Sequence, residues 1–302
     1  MAFHKRQLGD ADLFVSELGL GTMSFKTKAD TIEIIRYAVD RGINFIDTAD
    51  LYRFGEIETW LGQALKGIRD KVILATKGGN HWKKGANDWF WDPSKNYIKS
   101  ALKDSLKRLK TDYIDLYQLH GGTINDPIDE TIEAFEELKS EGLIRYYGIS
   151  SIRPNVIKEY VKRSQIVSVM LPYSLLDRRG EEEILTLLKE KRISVIARGP
   201  LAKGALTTNG ENKIPEAGFL DYKADEIINL RAEIKLMRDR SLTETALRYP
   251  LAHPAVATVI PGASTLTQLE EIITSAAVSP LTRDEIKFIR QHTKANRFKK
   301  HR

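Results

Sequence analysis

The chain has no cysteine among its 302 residues, and this one absence removes disulfides, thiolate nucleophiles and thiolate-bound metal. No apolar run approaches the roughly eighteen residues that a membrane-spanning helix needs. The stretch from Met1 to Leu13 is polar and broken by Gly9, so the basic, apolar and small-residue succession of an export leader is missing. The excess of one charge over the other is small as well. The formal net charge is +6, and part of it lies in a basic tail over 290–302 that carries Lys294, Arg297, Lys299, Lys300 and Arg302 and is expected to be frayed and solvated. Elsewhere Lys and Arg are spread among acids, without the interleaved aromatics of a nucleic-acid face. His81 and His253 stand at no ligand spacing from Asp47 or His120, so no metal site is expected. Together these absences lead to the expectation of a cytoplasmic protein with neither nucleic-acid nor membrane partner. Any redox chemistry must then come from a borrowed cofactor.

What is present is alternation. Short apolar runs rich in Val and Ile, as strands buried on both faces should be, occur at Glu17–Thr22, Phe45–Ala49, Val72–Lys77, Ile114–His120, Tyr146–Ser150, Ser168–Leu171, Ser194–Ala197 and Ala257–Ile260. Between them lie amphipathic helical patterns at Thr31–Asp40, Lys95–Leu109, Ile128–Glu141, Glu181–Lys191 and Thr265–Ser275. Asp30, Ser94, Asp126-Pro127 and Ser264 stand as opening caps, and Gly42 and Gly142 as closing residues. Eight such units predict an α/β fold of the (β/α)8 TIM-barrel kind, with residues 1–302 as one domain and its core at about 5–280. Lys5-Arg-Gln-Leu-Gly and Leu13-Phe-Val-Ser are expected to pair as a hairpin plugging the barrel bottom. An open dinucleotide-binding sheet would want three spaced glycines after the first strand, and Gly19-Leu-Gly21-Thr lacks the third. Two loops are long for barrel connections, Gly78–Pro93 and Leu201–Tyr222, and long loops at the carboxyl face grip substrates. The first holds Trp82, Trp89 and Trp91, three of the chain's four tryptophans. A satellite core and a substrate-contacting wall explain that cluster equally well.

Asp47, Tyr52, Lys77 and His120 each stand at or just past the end of an apolar run, and neighbouring strand ends, roughly 4.8 Å apart, can share one cluster. A tyrosine has a pKa of about 10, and an ammonium beside its oxygen is expected to lower it. Asp47 would hold Lys77 charged, and His120 would hydrogen-bond a carbonyl oxygen or tune Tyr52. The four describe protonation of an oxygen that gains negative charge, a chemistry that needs a nicotinamide for the hydride. Taken singly, each has a bland reading as a helix cap, a solvated lysine or a core histidine. A hydrolase with paired carboxylates fits poorly, because Asp47 and Asp50 lie on one short segment.

Six segments carry a resemblance: Leu18-Gly-Leu-Gly-Thr-Met23, Phe45-Ile-Asp-Thr-Ala-Asp-Leu-Tyr52, Ala75-Thr-Lys77, Thr111-Asp-Tyr-Ile-Asp-Leu-Tyr-Gln-Leu-His120, Gly148-Ile-Ser-Ser151 and Val259-Ile-Pro-Gly-Ala-Ser264. In these, over about Lys5 to Ser275, the chain resembles the aldo-keto reductases. The resemblance implies Tyr52 as general acid/base, with Lys77, Asp47 and His120 completing a catalytic tetrad. It implies NADP(H), with NAD(H) possible, extended across the carboxyl face, and a small carbonyl compound as substrate. Gly21, Thr22, Met23 and Asp47 are implied near the nicotinamide ribose, and Ser150, Ser151 and Met170 at the carboxamide. Arg198 stands where the family places an aromatic against the ring, followed by Gly199, Pro200, Leu201 and Lys203 toward the pyrophosphate. Pro261, Gly262, Ser264, Gln268 and Glu271 are implied around the adenosine end. The chain departs from the family's pattern at Ser151, Met170 and Arg198, and it lacks the family's Arg or Lys at 262, 264 and 268. Phe54, Trp82 and Trp89 are the substrate candidates. The implied activity is reduction of aldehydes and ketones, and the alternative is a reductase-like barrel that holds cofactor as a redox-sensing or partner-docking module. Oligomeric state has no signature in the sequence.

Overall fold

In the computed structural model, which describes residues 3–83, 85, 88–237 and 239–302, eight parallel strands follow one another around a barrel. They are β1 (Leu20–Gly21), β2 (Phe45–Asp47), β3 (Ile73–Gly78), β4 (Ile114–Leu119), β5 (Ile144–Ser150), β6 (Ser168–Pro172), β7 (Ser194–Arg198) and β8 (Val256–Ile260). Each pairs with its sequence neighbour, and parallel bridges Leu18–Val259 and Gly21–Gly262 join the first to the last. The (β/α)8 architecture expected from the sequence is therefore present in one domain.

Period-two alternation decides what fills the barrel. Phe45, Ala75, Leu116, Met170, Ile196, Ala257 and Ile260 point inward from six strands and form one cluster with Leu8, Ala11, Leu13 and Val15. Those four belong to the entering hairpin, in which Lys5–Gln7 pairs antiparallel with Phe14–Ser16. The hairpin thus plugs the barrel with its own apolar side chains. Outside the strands a second, larger core unites the helices, including Ile34, Ile35, Leu61, Leu102, Phe135, Ile157, Leu188 and Leu247.

The helices are α1 (Lys28–Asp40), α2 (Glu56–Ala64), α3 (Lys95–Leu109), α4 (Ile128–Ser140), α5 (Pro154–Arg163), α6 (Ile184–Glu190), α7 (Ala224–Ile234), α8 (Leu242–Leu251), α9 (Leu266–Ala276) and α10 (Arg283–His292). In α3, Ile98, Ala101, Leu102, Ser105 and Leu109 make the buried stripe, and the Ser94 hydroxyl caps the start by accepting from the Tyr97 amide. Two expected caps are displaced. Thr27, not Asp30, caps α1, and Thr265, not Ser264, caps α9, each accepting from the amide three residues on. Asp30 and Ser264 match the cap preference by residue type, but in each case a nearby threonine hydroxyl takes the cap position.

The basic tail is not frayed. Thr293, Asn296 and Phe298 are buried. The Asn296 side chain accepts from the Arg178 amide at 2.8 Å and donates to the Leu176 carbonyl at 2.9 Å. Arg178 donates to the Thr293 hydroxyl at 2.9 Å, and the Arg179 guanidinium lies 4.9 Å from the centre of the Phe298 ring. The tail's charges pair at the surface, Lys294 with Glu226, Lys299 with Asp221 and Arg302 with Glu182, while its few uncharged residues anchor it beside the β6 end.

Candidate active site

Register brings the four sequence-selected residues together. Gly21 pairs with Asp47, Asp47 with Ala75, and Lys77 with Gln118, so Asp47 and Lys77 end on adjacent inward-facing positions. The Lys77 ammonium donates to Asp47 Oδ2 at 2.7 Å and to the Thr48 carbonyl at 2.7 Å, and its third donor faces Tyr52 Oη at 3.3 Å. Asp47 and Lys77 are 2% and 1% exposed, so this is an ion pair out of water. The His120 ring meets the Tyr52 ring edge-on, with centroids 5.9 Å apart. Sequence reasoning missed Gln118, whose side-chain amide donates to Asp47 Oδ1 at 3.3 Å. Its signal was there: positions 116 and 118 of β4 share the inward face that His120, just past the strand end, continues.

Burial dominates the electrostatics. It pushes the Tyr52 phenol above its ordinary value, although the Lys77 ammonium pulls the other way. The expected net lowering by Lys77 is therefore overturned, and Tyr52 is held in its protonated, proton-donating form. Burial also pushes the Lys77 ammonium toward neutrality, but Asp47 and Tyr52 outweigh this and raise it overall. Asp47 is raised by burial against the pull of Lys77. With three acceptors around the ammonium and two donors on the carboxylate, the pair is charged. His120 is lowered to about 3, first by burial and then by Lys77 and Arg198, so it is a neutral imidazole. Its Nδ1 is buried without a hydrogen-bond partner.

Other strand ends form the rim. Gly21 and Gly262 bridge β1 to β8, and a Cβ on Gly262 would come within 2.9 Å of the Ser24 hydroxyl. Among the described residues Thr22 Oγ1 and Ser24 Oγ are buried with no partner, which fits them to a polar ligand laid across this seam. Met23 beside them is exposed. On α9 the Leu266 and Thr267 amides have no intrahelical acceptor and suit an anion. The Ser264 amide and hydroxyl both donate to Gln268 Oε1, at 2.9 and 3.1 Å, and Glu271 accepts from Thr243 at 3.1 Å. Pro261 is buried beside Gly262. Gly199 has φ +66 with nothing within 4 Å of a Cβ, Pro200 and Leu201 are buried, and Lys203 is exposed in a left-handed turn. Ser150 ends β5 half-buried. The Ser151 hydroxyl accepts from the Arg153 amide at 3.2 Å, and Met170 is packed into the barrel interior at 2% exposure. Arg198 ends β7 on the inward face set by Ile196, with its side chain exposed at the mouth.

The three aromatic candidates separate. Phe54 and Trp82 meet edge-on, with centroids 5.7 Å apart, on the wall of a groove of about 860 Å³ that Asp50, His81, Tyr97 and Arg108 also line. Tyr52, Lys77 and His120 are not among its lining residues. Trp89 is 51% exposed. Trp91 packs against the helix core: its indole donates to the Asp126 carboxylate at 3.0 Å and its ring covers Gly79 and Gly121.

Comparison with known proteins bears on this geometry. A model of the aldo/keto reductase family matches residues 17–294. The chain is 57% identical to the uncharacterized oxidoreductase YqkF of Bacillus subtilis (strain 168), over 99% of both chains. It is 35% identical to the NADH-specific methylglyoxal reductase of Escherichia coli (strain K12), over 67% of this chain and 69% of that one. Among solved structures, the holo form of aldo-keto reductase AKR11C1 from Bacillus halodurans superposes with a TM-score of 0.95 at 54% identity, covering 99% of both.

Proposed function

The chain belongs to the aldo/keto reductase family, and we propose that it reduces aldehydes and ketones to alcohols with Tyr52 as the proton donor. The observation that carries this reading is the buried Asp47–Lys77 pair, which holds an ammonium 3.3 Å from the Tyr52 oxygen. A carbonyl oxygen bound between Tyr52 and His120 gains negative charge as its carbon accepts a hydride. Tyr52, kept protonated by burial, gives its proton to that oxygen, and the phenolate left behind is stabilised by Lys77. Neutral His120 donates a hydrogen bond to the same oxygen without competing as an acid. Asp47 and Gln118 fix the position and charge of Lys77.

A nicotinamide cofactor bound along the rim supplies the hydride from its ring C4. Gly21, Thr22 and Asp47 would hold its ribose, Ser150 its carboxamide, and the α9 amides with Ser264 its adenosine end. Ser151, whose oxygen accepts from the Arg153 amide, keeps its O–H free to donate to the carboxamide, and Met170 offers packing instead of a hydrogen bond. NADP(H) is the cofactor proposed, with NAD(H) accepted. No Arg or Lys stands at 262, 264 or 268 to grip a 2′-phosphate, and the 35% identical methylglyoxal reductase of Escherichia coli is NADH-specific by name. NADPH and NADH oxidation with a panel of aldehydes and diketones tests the reading. Turnover supports it, and tight cofactor binding without turnover of any carbonyl would favour a sensing or docking module instead.

A further inference from the structure

We propose that Arg198 makes this site select carbonyl compounds that carry a second, anionic group, a carboxylate or a phosphate. The inference rests on the reductase reading, because it concerns which carbonyl is brought to Tyr52.

Strand alternation fixes where Arg198 is. Ile196 points into the barrel, so Arg198, two residues on, has the same inward face at the last paired position of β7, in register with Pro172 and Ile260. Its guanidinium acts electrostatically on Tyr52, Asp47 and His120, three of the four tetrad residues. Among the described residues no hydrogen bond or ion pair engages it. The carboxylates nearby are committed elsewhere: Asp177 accepts from Arg179 at 2.8 and 2.7 Å, and Asp47 from Lys77 at 2.7 Å. One uncompensated positive charge is therefore left at the mouth.

A guanidinium on an open surface satisfies its five donors with water at little cost. This one is partly desolvated, and burial is the largest influence lowering its pKa. An anion bound there offsets that cost and accepts two parallel hydrogen bonds, the arrangement for which guanidinium and carboxylate or phosphate are matched. The face of the same planar group stays free to lie against a nicotinamide, because its N–H donors are in the plane.

The test uses matched pairs at saturating cofactor: 4-carboxybenzaldehyde against its methyl ester, and glyceraldehyde 3-phosphate against glyceraldehyde. In the wild type the anionic member of at least one pair should show kcat/KM about tenfold higher, mainly through KM, a difference of about 1.4 kcal/mol. The pair that responds identifies the anion. Arg198→Gln should bring that ratio to about one, whatever it does to absolute rates, and Arg198→Lys should keep part of it. Raising the salt should erode the wild-type ratio. Equal kcat/KM within both pairs would overturn the proposal. So would Arg198→Gln weakening cofactor binding, read by fluorescence titration, while leaving the anionic-to-neutral ratio intact. No turnover of any of the four compounds by the wild type would refute the reductase reading itself, a distinct failure.

Discussion

Replacing Asp47 with Asn keeps the shape of the site and removes the charge that justifies a buried lysine. Lys77 is 1% exposed and its ammonium has three neighbours, Asp47, the Thr48 carbonyl and Tyr52 Oη. Breaking a buried ion pair from one side costs about 3–5 kcal/mol, because the remaining charge is left uncompensated. For 302 residues at roughly 2.1 cal/mol/K of unfolding entropy each, that loss lowers the melting temperature by about 5–8 °C. The pH dependence gives a sharper test. In the wild type Lys77 is raised above its ordinary value, so its stabilisation is full below the unfolded value and is lost as pH rises through the folded one. In Asp47→Asn burial acts with far less opposition and the ammonium is lowered, so the variant is penalised at neutral pH and the penalty fades as Lys77 deprotonates. Melting curves of the two proteins from pH 6 to 10.5 should therefore converge toward the alkaline end. Combining Asp47→Asn with Lys77→Met should recover much of the loss. Parallel curves, or a variant as stable as the wild type at pH 7, would refute the buried-pair argument.

The remaining expectations are independent of that pair. His120 is lowered to about 3 in the fold against about 6.5 unfolded, so the unfolded chain takes up the proton first as pH falls. His120 should cost about 1.4 kcal/mol of stability per pH unit between those values, and His120→Asn should flatten that limb in denaturant titrations. A Cβ at Gly62 would come within 2.6 Å of the Leu109 carbonyl. Gly62→Ala should thus destabilise by about 1–3 kcal/mol despite the better helix propensity of alanine, and a more stable variant in urea unfolding would contradict the close α2–α3 approach. Ser264→Arg should tighten NADPH more than NADH, and unchanged dissociation constants for both would remove position 264 from the phosphate site.

Much of this was readable in the chain. Strands buried on both faces are written as continuous Val and Ile runs, and a side chain ending such a run must stand at the barrel mouth, which is why Asp47, Lys77 and His120 could be grouped. The hairpin plug followed from two short segments on either side of a turn, Lys5-Arg-Gln-Leu-Gly and Leu13-Phe-Val-Ser. What was not readable depends on contacts distant in sequence. Asn296 is anchored by Arg178 and Leu176, more than a hundred residues away, so its stretch looked like a solvated tail. Helix α8 contains Pro250 in its last turn and α2 contains Gly62, both breakers by local propensity that packing overrides. The protonation state of Tyr52 turned on which effect was larger, the lysine or the loss of water, and burial is a property of the fold. Phe54 is two residues from Tyr52 in sequence, yet it lines a separate groove with Trp82, because Arg53 and Phe54 both turn left-handed.

The most direct measurement compares wild type with Tyr52→Phe, using nucleotide fluorescence for cofactor affinity and cofactor oxidation with a simple aldehyde for turnover. The account expects affinity within about twofold and turnover reduced by about a hundredfold or more, the loss of one general acid. Turnover retained at near wild-type rate, with cofactor still bound, would contradict Tyr52 as the proton donor.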